Sequence, residues 1–468
     1  MANPLIYIVL FFSLLLPFLS KLYSIISSPT TSNKNRPPSP PKLPIIGNLH
    51  QIGPLVHHSL FSLSQRYGRD LMLVYMGSIP TLVVSSPDSA REIMQTHDLT
   101  FASRAPLYVY KTLFYDSKEI ATAPYGVYWR QAKKILVHHF LSNKKLKRFS
   151  GLIDRETAIT MRNVVENATA CNKQGVISLG EMLSQHVSSV LYKTTFGKLH
   201  DDEEMGKKFK MVSKDLSKVF ATLYIVGFIP QLGWIDVIRG APSKAKGLAK
   251  NIDKLLEIAI EEKVVKVKDD DHHHEVVSEG EEPLIDTLLR LHKDGSIGCL
   301  LERDAVKALL MDSYLGGLES TSALLEWAMA ELLRHPSALK KVQAEIRMVV
   351  NYGSSRQHII TDEDIKQMKD HKVWVDRPNE FVPERFLASS MDFVKQHDFK
   401  LLPFGAGRRM CPGEGLALTI AENLLANLLC KFDWALPEGD MDMNERTGLA
   451  THKKTKLLAF AKPHLDNS

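Results

Sequence analysis

The hydrophobic pattern changes character three times along the chain. Residues 1–20 carry no charged side chain and include LIYIVLFFSLLLPFL; beyond Lys21 the apolar run continues through Leu22, Tyr23, Ile25 and Ile26. A bilayer core takes about 20 apolar residues in a helix, and a lysine near a helix end can snorkel. Residues 1–26 therefore read as an uncleaved transmembrane anchor, in place of the shorter apolar core of a cleaved signal peptide. Basic residues follow it (Lys34, Arg36, Lys42), so the body is expected on the cytosolic side and the Asn167-Ala168-Thr169 sequon is expected to go unused. Next comes PPSPPKLPIIGNL, Pro37 to Leu49, where fixed φ angles and missing N–H donors enforce an extended, stiff segment. Residues 27–49 are read as a linker arm that sets the body against a membrane, and residues 50–468 as that body.

Within the body, LMLVYM (71–76) and TLVVS (81–85) have strand character and bracket Ser78-Ile79-Pro80, which predicts a hairpin with its turn at that tripeptide. Helical spacing dominates beyond the hairpin: Pro87 to Thr96, Val127 to Phe140, Ser142 to Asn167, Leu179 to Phe196 and Asp201 to Val219. The fold class is mainly α with small β-sheets. KVVKVKDDDHHHEVVSEGEEP, Lys263 to Pro283, is charge-blocked with little apolar periodicity and reads as an exposed loop; His272, His273 and His274 in it read as solvated histidines.

Composition narrows the function classes. With 44% hydrophobic and 24% charged residues the chain is globular, and a net charge of +6 is too mild to argue for nucleic acid. Four cysteines lie far apart with no C-x-x-C pair, which signals neither a disulfide framework nor structural zinc. Cys171, Cys299 and Cys430 read as ordinary buried residues.

Two stretches carry candidate chemistry. The first is a proline-free helix from about Glu302 to His335, about 50 Å long, with LGGLESTS (Leu315 to Ser322) in its middle. Two glycines, an acid and three hydroxyl residues stand there where a buried helix should be apolar. They read either as a packing notch with hydroxyls bonded one turn back, or as a local opening for a small ligand with Glu319, Ser320 and Thr321 handling protons. The second stretch is PFGAGRRMCPG, Pro403 to Gly413, followed by an apolar helical run. Cys411 thus sits just before a helix N-terminus, where the macrodipole and free N–H groups are expected to favour the thiolate, as a soft metal ligand requires. Gly405, Gly407 and Gly413 permit close backbone approach to something flat, Phe404 can pack on it, and Arg409 offers a cation for a carboxylate. One cysteine without further ligands is wrong for zinc or an iron–sulfur cluster and suits an iron held by a macrocycle.

With these motifs the sequence resembles the cytochrome P-450 superfamily, specifically its plant microsomal members, over nearly its whole length. The resemblance rests on the anchor, the proline arm, Trp129-Arg130-Gln131-Ala132-Lys133, the helix with GGLEST, the PERF box at Pro383 to Phe386, and PFGAGRRMCPG. It implies haem b with Cys411 as axial thiolate, Arg409 and Trp129 on the propionates, Arg130 and Lys133 as further propionate contacts, and Gly317, Phe404, Gly405 and Gly413 around the cofactor. It implies that Glu319 and Ser320 form the acid and alcohol pair, with Thr321 beside it; the family's usual alcohol there is threonine. It further implies dioxygen as co-substrate, electrons from NADPH through a cytochrome P-450 reductase, a small hydrophobic substrate of secondary metabolism, and a single-pass location in the endoplasmic reticulum membrane. A basic face (Lys133, Lys134, Lys144, Lys145, Lys147, Arg148) is a candidate reductase contact, and Phe101 to Pro124 and Val226 to Ile229 are candidate substrate contacts.

One departure is large. A helix bearing a Glu-x-x-Arg pair should follow DEDIKQM, yet the chain passes from DEDIKQMKDH into KVWVDRPNEFVPERF, and that pair does not occur between Met368 and Arg385. An internal segment is expected to be missing near 369–373, leaving Arg385 without its carboxylate at about 3–5 kcal/mol if buried. The expectation is weak or absent haem uptake, and the alternative is a catalytically inactive scaffold of the same family.

Overall fold

The computed structural model describes residues 36–169, 175–222, 224–269, 282–294, 302–352, 381, 399–437, 439 and 441–464. The expected anchor, the three adjacent histidines, Cys171, Cys299, the PERF box and the 369–373 junction lie outside these residues.

The chain divides into two units. The smaller comprises the described part of Met1–Asp98 with Tyr224–Arg239 and Asp398–Lys400. Its helix α1 (Val56–Tyr67) leads into an antiparallel hairpin, β1 (Leu71–Met76) and β2 (Ile79–Val84). The turn falls at Gly77-Ser78, one step earlier than expected: Gly77 takes φ +63°, and Pro80 lies within the ladder opposite Tyr75. Proline is tolerated there because a two-stranded ladder leaves each strand one unpaired edge. The proline arm lies along this hairpin, Leu73 N–H donating to Pro38 O at 2.8 Å and Tyr75 N–H to Asn48 Oδ1 at 2.8 Å. α2 (Pro87–Arg91) is capped by the Ser86 hydroxyl and runs on as one wider turn over Glu92–Thr96.

The larger unit comprises Leu99–Leu223, Gly240–His397 and Leu401–Ser468. In chain order its described elements are α3 (Tyr108–Leu113), α4 (Val127–His139), α5 (Asn143–Thr169), β3 (Val176–Ser178), α6 (Leu179–Phe196) and α7 (Asp202–Phe220). Then come α8 (Ala241–Asp269), α9 (Leu284–Lys293), α10 (Arg303–Arg334), α11 (Pro336–Tyr352), α12 (Glu414–Lys431), β4 (Phe432–Ala435), β5 (Glu445–Arg446), β6 (His452–Lys453) and β7 (Leu458–Pro463). β3, β7 and β4 form one antiparallel sheet in that order, and β5 pairs with β6. α8 corrects the expected loop from Lys263: Lys263–Asp269 continue the helix, because Lys263 is buried beside Asp286 of α9, 3.3 Å away, and so has a reason to stay in register.

α10 packs chiefly on α6. Its buried side chains include Leu309, Leu310, Tyr314, Leu315 and Leu318, against Leu183, Val187, Val190 and Leu191. Phe196 and Phe209 stack at 4.3 Å beside Tyr314, whose hydroxyl shares a 2.9 Å hydrogen bond with Ser188. Gly317 permits this approach, since a Cβ there would stand 2.8 Å from Leu191 Cδ1.

Among the described residues no helix is long and apolar enough to cross a membrane. α10, the longest of them, carries Arg303, Asp304, Lys307, Asp312, Glu319, Glu326, Glu331 and Arg334. The expectation of a fold with a transmembrane anchor is corrected accordingly to a mainly α-helical body with minor β-sheets. The membrane as a partner and the single-pass endoplasmic reticulum location are withdrawn with it.

Candidate functional site

α4, α10, the loop 102–123 and the turn before α12 enclose a cavity of about 420 Å³ within the larger unit. It is lined by the apolar Leu136, Phe140, Leu191, Leu416 and Ile420, by Cys411 and Phe404 of the turn before α12, and by Gly316, Gly317, Ser320 and Thr321 of α10. Arg104, Lys133 and Arg409 supply three cations and Asp312 one carboxylate.

Local chemistry shapes the cysteine turn. Gly405 and Gly407 take φ +70° and +66°, which side chains disfavour, so both glycines serve the backbone conformation of the turn. Gly405 N–H donates to Leu402 O at 3.1 Å and Cys411 N–H to Phe404 O at 2.9 Å, closing the turn that ends at Gly413, the N-cap of α12. Burial pushes the Cys411 thiol up, Gly413 N–H pulls it down, and the Glu414 and Asp312 charges add to the rise. A bound metal cation deprotonates a coordinating thiol outright.

The expected rim residues divide. Trp129 is buried, its indole N–H donating to Ile120 O at 3.0 Å. Arg409 donates to Ala102 O (2.6 Å), Ile120 O (3.0 Å) and Ala123 O (2.6 Å). Burial, then the Arg104 charge, lowers its pKa to about 10. Lys133 donates to Arg408 O (2.7 Å) and Met410 O (3.0 Å), so it braces the cysteine turn; burial and then Arg409 lower its pKa. Arg130 is exposed and does not line the cavity.

α10 brings Ser320 and Thr321 to the cavity but turns Glu319 elsewhere. Ser320 Oγ donates back to Gly316 O at 2.7 Å, as the packing-notch alternative anticipated for hydroxyls in this stretch. Thr321 is 2% exposed, and its Oγ1 has no hydrogen-bond partner among the described residues. Glu319 accepts from Ser213 Oγ at 2.6 Å and pairs with His452 at 3.1 Å.

Three participants escaped the sequence reading. Ile120 is a hub: its N–H donates to Asp312 Oδ2 at 2.9 Å while its carbonyl takes Trp129 and Arg409. Burial raises Asp312 to about 6, and burial followed by the Asp312 charge raises neighbouring Glu119 to about 7. Asp312 was legible as an acid within the apolar first half of the helix, one turn before Gly316 on the same face. Arg104, whose Nε donates to Ala121 O at 3.3 Å, carried no local signal.

An iron porphyrin fits this donor set. It would use a sulfur donor, cations at one rim, apolar walls, a buried hydroxyl with spare capacity, and the open space beside Gly316, where no atom lies within 4 Å of a would-be Cβ.

The Cytochrome P-450 family model matches residues 37–369 and 365–460. Cytochrome P-450 736A117 of Prunus mume is 37% identical over 512 residues, covering 97% of this chain and 96% of that protein. Norfluorocurarine oxidase of a Strychnos species is 34% identical over 510 residues, covering 97% and 98%. Among solved structures, a zebra fish cytochrome P-450 with progesterone superposes with a TM-score of 0.67 at 22% identity, covering 87% of this chain and 99% of that one; this likeness concerns the fold.

Proposed function

The chain belongs to the cytochrome P-450 family, and from that premise we propose that it hydroxylates a small hydrophobic plant metabolite in the cavity faced by Cys411. The family's chemistry is haem-dependent monooxygenation with dioxygen and reductase-delivered electrons, and the chain is classed as an enzyme of that kind. Haem held through the Cys411 sulfur would supply oxygen activation: with one dioxygen, two electrons and two protons, a C–H bond becomes C–OH and one water is released.

The side chains have separable tasks in this reading. Cys411 holds the metal through sulfur, and Lys133 fixes the turn that presents it by gripping the carbonyls of Arg408 and Met410. Arg409, with Arg104 and Trp129 at the same rim, balances carboxylates there. Leu136, Phe140, Leu191, Leu416 and Ile420 exclude water and select an apolar substrate. Thr321 Oγ1 has donor capacity to hold a proton or a water in the cavity, with Ser320 beside it. For the reductase, Lys134, Lys144, Lys147 and Arg148 are exposed, whereas Lys133 and Lys145 have inward partners, Lys145 with Glu282 at 2.8 Å. Docking is assigned to the former four.

A second reading, an inactive scaffold, is favoured by one observation. The family match breaks into two stretches that meet at 365–369, and the relative's alignment runs to 512 positions against 468 residues here. The break supports an internal segment missing near 369–373, and the longer alignment supports a missing segment without placing it.

The observation that carries the first reading is that Cys411 and an unsatisfied Thr321 hydroxyl line the same cavity. The reduced, carbon monoxide-bound spectrum of the full chain tests it. A weak thiolate-type Soret band that disappears in C411A supports the monooxygenase reading. A band unchanged in C411A refutes the ligand assignment, and no haem uptake at all selects the scaffold.

A further inference from the structure

Glu319 and Ser320 are sequence neighbours, but one residue of helix rotation sends them to different faces of α10. Ser320 and Thr321 line the cavity; Glu319 meets α7 and β6 instead. Its Oε1 accepts from Ser213 Oγ at 2.6 Å and its Oε2 from His452 Nε2 at 3.1 Å. The other ring nitrogen, Nδ1, lies 3.5 Å from Glu326 Oε2, two turns further along α10. The three side chains are 16, 14 and 12% exposed, so solvent screens them little.

The neighbours leave these groups little freedom. Trp327 Nε1 donates to Thr451 O at 2.9 Å, pinning β6 to α10 immediately before His452. Gly180 at the start of α6 backs Glu326, a Cβ there falling 2.5 Å from its Oε1. Lys453, next to His452, points its charge at Asp442 O and Met443 Sδ, and its field also reaches Glu326; Tyr314 of α10 feels Glu319. Without the His452 ring between them, Glu319 would keep the Ser213 hydroxyl and Glu326 the field of Lys453.

We propose that His452 is a positioning residue for proton handling in the cavity: its two ring nitrogens hold Glu319 and Glu326 on the β6 side of α10. Ser320 and Thr321 are then the proton-bearing groups that this turn presents to the cavity. The inference rests on the reading of Glu319 to Thr321 as the proton-handling turn, and departs from it by making Glu319 a held anion whose place a distant strand decides. The acidities agree with a clamp. Burial pulls His452 down, but hydrogen bonds and charges from Glu319 and Glu326 outweigh it and raise it to about 9. Burial pulls Glu319 up, but the bonds from His452 and Ser213 hold it below the usual carboxylate range. The proton therefore rests on the ring, and Glu319 stays ionised at neutral pH.

The first test needs no cofactor. Full-length protein carrying 13C at histidine Cε1 is titrated by NMR, and the resonance lost in H452Q is assigned to His452. Its midpoint is expected well above the ordinary histidine value and should fall by about one pH unit or more in E319Q, a tenfold change in proton affinity. A midpoint near the ordinary value, indifferent to E319Q, overturns the clamp. In haem-loaded protein, product formed per NADPH is then followed against pH. H452Q is expected to lower it and reshape the profile, H452K to restore it by returning the cation, and E319Q/H452Q to be no worse than E319Q. Additive losses overturn the proposal. A raised, Glu319-dependent midpoint in a chain that takes up no haem would uphold the clamp and remove the monooxygenase reading, so the two failures are distinguishable.

Discussion

The guanidinium of Arg409 lies 4.3 Å from the centroid of the Trp129 ring, and both side chains donate to the same carbonyl, that of Ile120. The pair locks the cysteine turn to α4 and to the loop 102–123 at once. Removing the ring is expected to cost about 3–5 kcal/mol in W129A. W129F, which keeps most of the apolar surface and loses the N–H, is expected to cost about 1 kcal/mol, because Arg409 still satisfies Ile120 O. Urea unfolding of the three proteins checks the order.

Arg409 satisfies three backbone carbonyls with one planar fork, which an ammonium cannot reproduce. R409K is expected to lose about 2 kcal/mol, at the low end for under-satisfied carbonyls in a half-buried setting. It should also render the 102–123 segment the first site of limited proteolysis. Stability unchanged in R409K would show that the three bonds are not made together in solution.

The adjacent glycines of α10 are expected to respond with opposite signs. G316A meets open space and gains helix propensity, a stabilisation of up to about 1 kcal/mol with a smaller cavity. G317A drives a Cβ into Leu191, itself 2% exposed with little room to yield, and is expected to lose about 1–2 kcal/mol net. Thermal unfolding and dye uptake by the cavity separate the two.

Two histidines should shape stability against pH in opposite directions. Burial lowers His186 to about 4, against an opposing Glu156 charge. Its neutral form is the folded one, so its contribution is present above pH ~6.5 and drains away toward pH 4, about 3 kcal/mol in all. His452, raised to about 9, contributes fully below pH ~6.5 and loses a similar amount as pH climbs through 9. Stability measured by urea unfolding is expected to peak near pH ~6.5. H186Q should flatten the acid limb and H452Q the alkaline limb; a limb that survives its substitution belongs to other groups.

Features written in consecutive residues were legible from the chain. The apolar periodicity of α10 and α6 and the glycine-bearing turn before Cys411 depend on backbone propensities acting within a few residues. Pro80 misled because its confinement to strand edges is satisfied in a two-stranded ladder, and Lys263 because its helical register depends on Asp286 of another helix.

The sequence by itself determined the family motifs, the mainly helical architecture and the presence of one cysteine poised before a helix. Tertiary structure decided what those residues touch. It turned Lys133 onto two carbonyls, gave Arg409 three, and handed Glu319 to a histidine 133 residues away. The reason is physical: periodicity reports which face of an element is apolar, whereas the charge and orientation of a polar side chain follow from partners and desolvation supplied by other elements.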